Sequence, residues 1–397
     1  MLVLVTFAAC QHQPLRDDDV DYYSRPLPPG AVGLEQMEPW QYPDFSAGFG
    51  DRDSLLAAID ESLAYYAKPS SQGFFPFVDI THERAVSSLR ALREMVLAGV
   101  TGYELNAAIA ERFDVYRSVG CDDRGTVLFT GYCEPIYPGS MTRTDRFRHP
   151  LYRLPDDLVK DTDGTCLGRR MPSGELVPYP TRNDIDEMGI LRNRGLELVW
   201  LESPLDAYVV HVQGSAKIRL PDGKLINVGY AGKNGRPYRS LGQKLIDDKA
   251  IPADEMSLAN IRSFFARNPQ KLHRYLGHNE SYVFFTETSG GPYGSLNAKV
   301  TPMRSIATDK SVFPRGAMAF IETSLPVARS GAGFGSRDYS GFVLDQDTGG
   351  AIRSAGRCDV FIGTGPEAEA LAGHTKAEGK LYYLFLREGT QALSDAR

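Results

Sequence analysis

Beyond about residue 126 the sequence breaks into short apolar runs separated by glycine and proline, and this texture sets the fold class. Runs at 127–130, 198–201, 208–212, 282–285, 317–321, 341–344, 360–362 and 381–386 each have strand length. One pair is more specific. Lys217-Ile-Arg-Leu220 and Leu225-Ile-Asn-Val228 flank Pro-Asp-Gly-Lys, which predicts a hairpin because the central residues suit a tight reversal. Few of the runs are joined by helical crossovers, which argues against a doubly wound sheet. A mainly β chain of barrels or sandwiches with added helices is expected.

Helical stripes frame this region. Leu55, Leu56, Ile59, Leu63 and Tyr66 share one face, and Pro69 ends the run. Val86, Leu89, Leu92 and Val96 form a second stripe closed by Gly99. Thr101 and Glu104 have the spacing of a capping box for a third helix, with Leu105, Ile109, Phe113 and Tyr116 on its face. Two further helical patterns occupy 240–246 and 257–275, the latter interrupted at Pro269. Residues 11–50, with Asp17, Asp18, Asp19 and then Pro26, Pro28 and Pro29, read as a tether.

With 397 residues the chain has room for two domains or one large one. A net charge of -6 disfavours nucleic acid as a partner, since such binders carry a clustered basic face. The five cysteines, Cys10, Cys121, Cys133, Cys166 and Cys358, show no metal-ligand spacing; Cys121 and Cys133 can pair in an oxidising compartment or remain thiols like the rest. The seven histidines are dispersed without a His-x-x-x-His pair, and no serine stands in a nucleophile elbow. Neither a zinc site nor a Ser-His-Asp set is supported, and no cofactor is expected.

The chemistry concentrates late. The run 342–344 leads into Asp345-Gln-Asp347-Thr-Gly-Gly, where the glycine pair allows a tight turn. The next run, from Arg357, brings Asp359 back, so two strands with acids at facing ends are expected to hold Asp347 and Asp359 in one cleft. Asp309 adds a third acid ahead of Pro314. The plainer alternative for Asp347 and Asp309 is a turn residue bonding nearby backbone, and for Asp345 a solvated charge at a strand end.

Asp309, the run from Asp347 to Ile352 and Asp359 resemble the three-aspartate signature of the MltA family of lytic transglycosylases, which cut bacterial peptidoglycan. Phe129-Thr-Gly-Tyr132, Val212-Gln-Gly-Ser215 and Tyr230-Ala-Gly-Lys-Asn-Gly235, continuing to Tyr238-Arg-Ser240, resemble that family's longer motifs. The resemblance spans about residues 40–386. It implies a double-psi β-barrel domain built from 41–125 and 286–397, an inserted β-rich domain at 126–285, and a substrate groove between them, after a tether at 1–40.

The resemblance also implies the chemistry. Asp359 takes the place of the catalytic acid, with Asp347 and Asp309 raising its pKa or orienting it. A buried carboxylic acid can protonate a glycosidic oxygen near neutral pH. The C6 hydroxyl of N-acetylmuramic acid then closes a 1,6-anhydro ring without external water, and one acid serves twice. Gln213, Ser215, Lys233, Asn234, Tyr238 and Arg239 are candidates for contacts to the sugar polymer, with Tyr132 as a stacking platform; satisfaction of loop backbone is the alternative for Gln213 and Ser215. The expected partners are peptidoglycan strands and cell-wall proteins. A hydrolase using two aspartates and water, or a non-catalytic glycan-binding protein, are the competing readings. The apolar run before Cys10 resembles the end of a lipoprotein signal although no positive region precedes it, so a periplasmic protein held at the outer membrane through lipidated Cys10 is expected.

Overall fold

The computed structural model describes residues 22–46, 49–161, 164–252, 255–328 and 333–389, so Cys10 and most of the expected tether lie outside the described residues. After a short strand β1 (Leu34–Gln36) come α1 (Arg52–Tyr66), α2 (His82–Ala98) and α3 (Gly102–Arg112). The Asp51 side chain caps α1 and that of Thr81 caps α2, each accepting from orphan amides of the first turn. Gly99 closes α2 in the left-handed region at φ 72°. Thr101 stands at the N-cap of α3 without a side-chain cap bond, so the expected capping box does not form. The third stripe also ends earlier than expected: Phe113 starts strand β2 (Phe113–Ser118), whose alternate residues Phe113 and Val115 are buried. Strand β3 (Val127–Glu134) follows.

The chain then leaves for a second body. Its strands are β4 (Ile136–Ser140), β5 (His149–Tyr152), β6 (Leu158–Lys160), β7 (Cys166–Arg170), β8 (Leu176–Val177), β9 (Glu197–Leu201), β10 (Ser215–Arg219), β11 (Leu225–Lys233) and β12 (Val283–Thr288). Its helices are α4 (Arg182–Asp186), α5 (Pro204–Gln213), α6 (Leu241–Asp247), α7 (Leu258–Arg267) and α8 (Leu272–Gly277). Six strands form one sheet in the order β12-β11-β10-β4-β9-β5, and a bridge between Arg153 and Phe285 brings its two edges together. The expected hairpin is β10–β11, turned by Gly223 at φ +85°. The run at 208–212, expected as a strand, is instead the end of α5. Ser203 caps this helix through its side chain and Pro204 sits at its start, so local capping decides where a short apolar run is ambiguous. Leu198, Val199, Leu201, Ile218 and Phe285 centre one core of this body, and Leu245, Phe264, Phe265 and Tyr275 a second one under its helices.

On returning, the chain adds β13 (Ser305–Ala307), β14 (Met318–Ala328), β15 (Phe334–Asp347), β16 (Arg357–Thr364), α9 (Pro366–His374) and β17 (Lys376–Leu386). The order β17-β14-β15-β13-β16-β3 closes on itself because β17 also pairs with β3. The result is a closed six-stranded barrel in which β13–β15 and β16–β3 run parallel and the other pairs antiparallel. Closure leaves no unpaired edge within the barrel. β3 is itself a barrel strand, and the chain leaves the barrel for the second body after Glu134. Phe45, Phe320 and Phe342 pack edge-on or stacked in the barrel core, beside Leu344 and Val360. Each such buried aromatic or aliphatic side chain contributes about 1.5–3 kcal/mol.

Polar contacts join the two bodies. Glu134 is fully buried at the crossing, accepts from the Thr364 hydroxyl at 2.9 Å, and lies 3.7 Å from Lys217. Arg262 on α7 pairs with Glu369 on α9 at 3.0 Å, and Tyr137 donates to the same carboxylate at 2.6 Å. Cys121 and Cys133 are both free thiols, so the pairing allowed by their sequence is not made.

Candidate active site

Strand register sets the site. Ala307 on β13 lies opposite Asp347 of β15 on one side and Asp359 of β16 on the other. The two strands that carry the acids are therefore not neighbours, and one residue of a third strand lies between Asp347 and Asp359. Their backbones stand about 10 Å apart, two strand spacings. One strand further round, Thr130 of β3 lies opposite Asp359. A bulge at Gln346 shifts the register between Ile306 and Ala307, and bulges re-aim side chains. Asp345 before it points into the barrel, Gln346 bonds Ser305 and α1, and Asp347 after it reaches the cleft.

The three acids on this stretch have distinct surroundings. Asp359 is half-buried; its Oδ1 accepts the Thr130 hydroxyl, and the Arg357 guanidinium lies 3.9 Å away. Burial pushes its pKa up, while Arg357 and then Thr130 pull the other way. Asp347 is raised too, mainly by burial, but its Oδ1 is held by the amides of Ser295 and Thr348, both at 2.8 Å. That approach needs a glycine: a Cβ on Gly294 would sit 2.5 Å from the Gln346 carbonyl oxygen. Asp345, expected as a solvated charge, is instead fully buried, ion-paired with Lys310 and accepting from Thr308 and Tyr383, each at 2.7 Å. A carboxylate inside the barrel requires such a cage, because an uncompensated buried charge is costly.

Asp309 is placed differently. Its Oδ1 accepts from the Ser311 amide and hydroxyl, and its Oδ2 from the Ser354 amide at 2.8 Å. It thereby ties the turn after β13 to the β15–β16 loop.

That loop faces the second body. A Cβ on Gly350 would lie 3.5 Å from the Tyr238 Cβ, and Arg353 is close enough to Lys233 to lower its pKa beyond the effect of burial. Burial raises the pKa of Tyr238, and Asp359 is among the charges acting on it. Tyr238 thus lies near Asp359, and Lys233 near Arg353 of the loop. Gln213 also reaches the barrel: its Oε1 accepts from the Cys133 amide at 3.0 Å. Tyr132 packs its ring against Phe361, with centroids 5.2 Å apart, and buries its hydroxyl. Burial raises its pKa, and the charge of Asp347 raises it further. Ser215 is a half-buried residue at the start of β10, and Arg239 is exposed, 3.7 Å from Glu280.

Asn234 does not fit a sugar contact. It is 2 % exposed, and its Nδ2 donates to the carbonyls of Pro180 and Glu280 while its Oδ1 accepts from Tyr282 and Arg236 amides. Both protons and both lone pairs are occupied, so the side chain holds three loop segments together. Conversely, Thr130 and Arg357 were not among the expected site residues. Arg357 was legible: it stands two residues from Asp359, which puts both on the same strand face. Thr130 stood within the Phe129-Thr-Gly-Tyr132 motif, but its place beside Asp359 follows from the parallel pairing of β16 with β3.

A shallower cavity of about 170 Å³ adjoins this region, between α5 and α9, with Gly131, Gln213 and Tyr238 on its walls. Among the described residues no cluster of His, Cys, Asp and Glu could hold a metal ion.

Comparison with known proteins agrees with this architecture. Residues 128–286 match the MltA specific insert domain and residues 304–385 the 3D domain. The chain is 32% identical over 277 residues to the membrane-bound lytic murein transglycosylase A of Vibrio cholerae serotype O1, covering 69% of each. The crystal structure of the membrane-bound lytic murein transglycosylase from Agrobacterium tumefaciens superposes with a TM-score of 0.74 at 28% identity, covering 90% of this chain and 98% of that one. That of Escherichia coli MltA with bound chitohexaose gives 0.63 at 26% identity, over 83% and 89%. With this order of strands, this insertion and this relative, the chain belongs to the membrane-bound lytic murein transglycosylase A family.

Proposed function

We propose that the chain cleaves the β-1,4 bond between N-acetylmuramic acid and N-acetylglucosamine in peptidoglycan, with Asp359 as the single acid and base. The observation that carries this reading is the environment of Asp359: buried enough for its pKa to rise, yet not sealed from solvent, and near Tyr238 of the second body, against which the β15–β16 loop packs. The protonated carboxyl gives its proton to the glycosidic oxygen as the C1–O bond breaks. The C6 hydroxyl of the muramic acid attacks C1, and the Asp359 carboxylate takes the hydroxyl proton. The acid is restored, and no water is consumed. Thr130 and Arg357 steady the carboxylate between the two steps. The relative with bound chitohexaose supports a sugar oligomer as the occupant of the corresponding groove here.

Digestion of purified sacculi, with mass spectrometry of the released muropeptides, tests the proposal. Products lighter than reducing-end muropeptides by the mass of one water are expected. A second reading is that Asp347, on the far side of Ala307 from Asp359, serves with it as a pair of carboxyls flanking a water. Reducing-end products would establish that alternative. Loss of turnover with retained glycan affinity in Asp359→Ala separates either enzyme from a binding protein, which would show no turnover at all.

The relatives are named membrane-bound, and no helix among the described residues is long and apolar enough to cross a membrane. We infer an envelope location with anchorage through lipidated Cys10, facing the periplasm. Release of Cys10→Ala from the membrane fraction is the expected outcome.

A further inference from the structure

The sequence offers Tyr132 as a stacking platform, but its hydroxyl is the more unusual feature. Side chains alternate along β3, and Phe129 lies in the barrel core, so Thr130 and Tyr132 share the outer face that carries Asp359 on β16. Thr130 lies opposite Asp359, and Tyr132 opposite Phe361. The Tyr132 ring packs on the buried Phe361, with centroids 5.2 Å apart, and this contact fixes where the hydroxyl goes. That hydroxyl is shielded from solvent and makes no hydrogen bond among the described residues. A buried polar atom without a partner is rare and calls for a reason.

Asp347 supplies the complement. Its Oδ1 accepts from the amides of Ser295 and Thr348, each at 2.8 Å, and its Oδ2 accepts from no described residue. A donor without an acceptor thus stands near an acceptor without a donor, and the two act on each other. Burial and then the Asp347 carboxylate raise the pKa of the phenol. Burial raises that of Asp347, while the Ser295 and Thr348 amides, the Lys310 ammonium and the phenol pull it back. Asp359 and Cys358 are the other titratable groups that act on the phenol.

The chemistry has a use for such a pair. Positive charge builds on the sugar ring as the C1–O bond breaks. An anion already in place stabilises that charge without reorganisation at the moment of reaction. Hydrogen bonds that serve catalysis are often long in the empty enzyme and tighten when substrate is bound.

We propose that Tyr132 is a positioning residue: in the occupied site its hydroxyl donates to Asp347 Oδ2 and holds that carboxylate, ionised, for the charge that develops at C1. This role rests on the reading of the chain as a peptidoglycan-cleaving enzyme with Asp359 as the acid. Tyr132→Phe removes the hydroxyl and keeps the ring on Phe361. Because the hydroxyl is unpaired in the empty enzyme, the variant should melt at or above the wild-type temperature. Its kcat on purified sacculi should nevertheless fall about 10–100-fold, the worth of a hydrogen bond to a charged group, with KM little changed. The acidic limb of kcat/KM, where Asp347 gains its proton, should move to higher pH, and the basic limb set by Asp359 should stay. Carboxyl-carbon NMR should show the Asp347 midpoint rising in the variant, a reading that needs no turnover. In an Asp347→Asn background, Tyr132→Phe should cost nothing further, because it acts through that carboxylate. An unmoved limb and midpoint, or a full extra loss on top of Asp347→Asn, would overturn the role. Reducing-end products would make Asp347 the base for a water and overturn it too. Absence of turnover in the wild type would count against the cleavage reading alone, and the Asp347 midpoint in Tyr132→Phe would still decide whether the phenol holds that carboxylate.

Discussion

Asp347 in the barrel and Asn234 in the inserted body stand in similar sequence surroundings, each a polar residue at the end of a strand shortly before a glycine, and the fold treats them in opposite ways. Asp347 follows a bulge on a strand whose register is locked on both sides, so it is delivered to the cleft with one oxygen held by two amides. Asn234 follows β11, where three loop segments meet with their backbone groups unpaired by any ladder, and its carboxamide closes them. Buried backbone groups must be paired somewhere. In the barrel the neighbouring strands do this and leave side chains for chemistry; in the inserted body a side chain must do it. A polar motif therefore indicates substrate contact only where the backbone around it is already satisfied.

Substitutions can break or sharpen this contrast. The largest effect is expected from Asp359→Ala, which should slow muropeptide release by about 10²–10⁴-fold, the usual contribution of a positioned acid and base. Normal lysis of sacculi would remove Asp359 from its role. Lys310→Met should next cost about 3–5 kcal/mol in urea unfolding, because it strands the buried Asp345 carboxylate. A loss below 1 kcal/mol would mean that the barrel interior tolerates the charge. Asn234→Ala should cost about 2 kcal/mol, from loop carbonyls and amides left unpaired, while kcat of the folded enzyme stays unchanged. A fall in kcat with stability intact would make Asn234 a substrate contact after all.

The smallest effect is on stability and runs against function. A buried carboxyl with a raised pKa binds its proton more tightly in the folded than in the unfolded state. Its contribution is fully present below the ordinary aspartate pKa of about 3.9 and is lost as pH rises through the higher folded value. Asp359→Asn should therefore melt above the wild type at neutral pH, with the gap closing in acid. A variant that melts below the wild type at neutral pH would show that Arg357 and Thr130 outweigh burial.

The mainly β architecture, the β10–β11 hairpin and the leading helices were legible in the sequence, because period and turn chemistry act locally. The acidic cluster was legible as a cluster, but not its arrangement. That Ala307 separates Asp347 from Asp359 follows from a β13 of three residues, too short to announce itself. That Asp345 faces inward follows from a bulge that no local propensity encodes. The 208–212 run misled because four apolar residues suit a strand as well as a capped helix. That β3 belongs to the barrel was not legible, because its partners lie more than 200 residues later in the chain.

The claim at the centre is that the Asp359 carboxyl holds its proton at a pH where an ordinary aspartate has lost it. Carboxyl-carbon NMR titration of Asp359, in the wild type and in Thr130→Val, measures this directly. The account predicts a midpoint above about 3.9, a further rise once the Thr130 hydroxyl is gone, and a basic limb of kcat/KM that moves with it. A midpoint at or below the ordinary value, or a limb that stays in place in Thr130→Val, would contradict it.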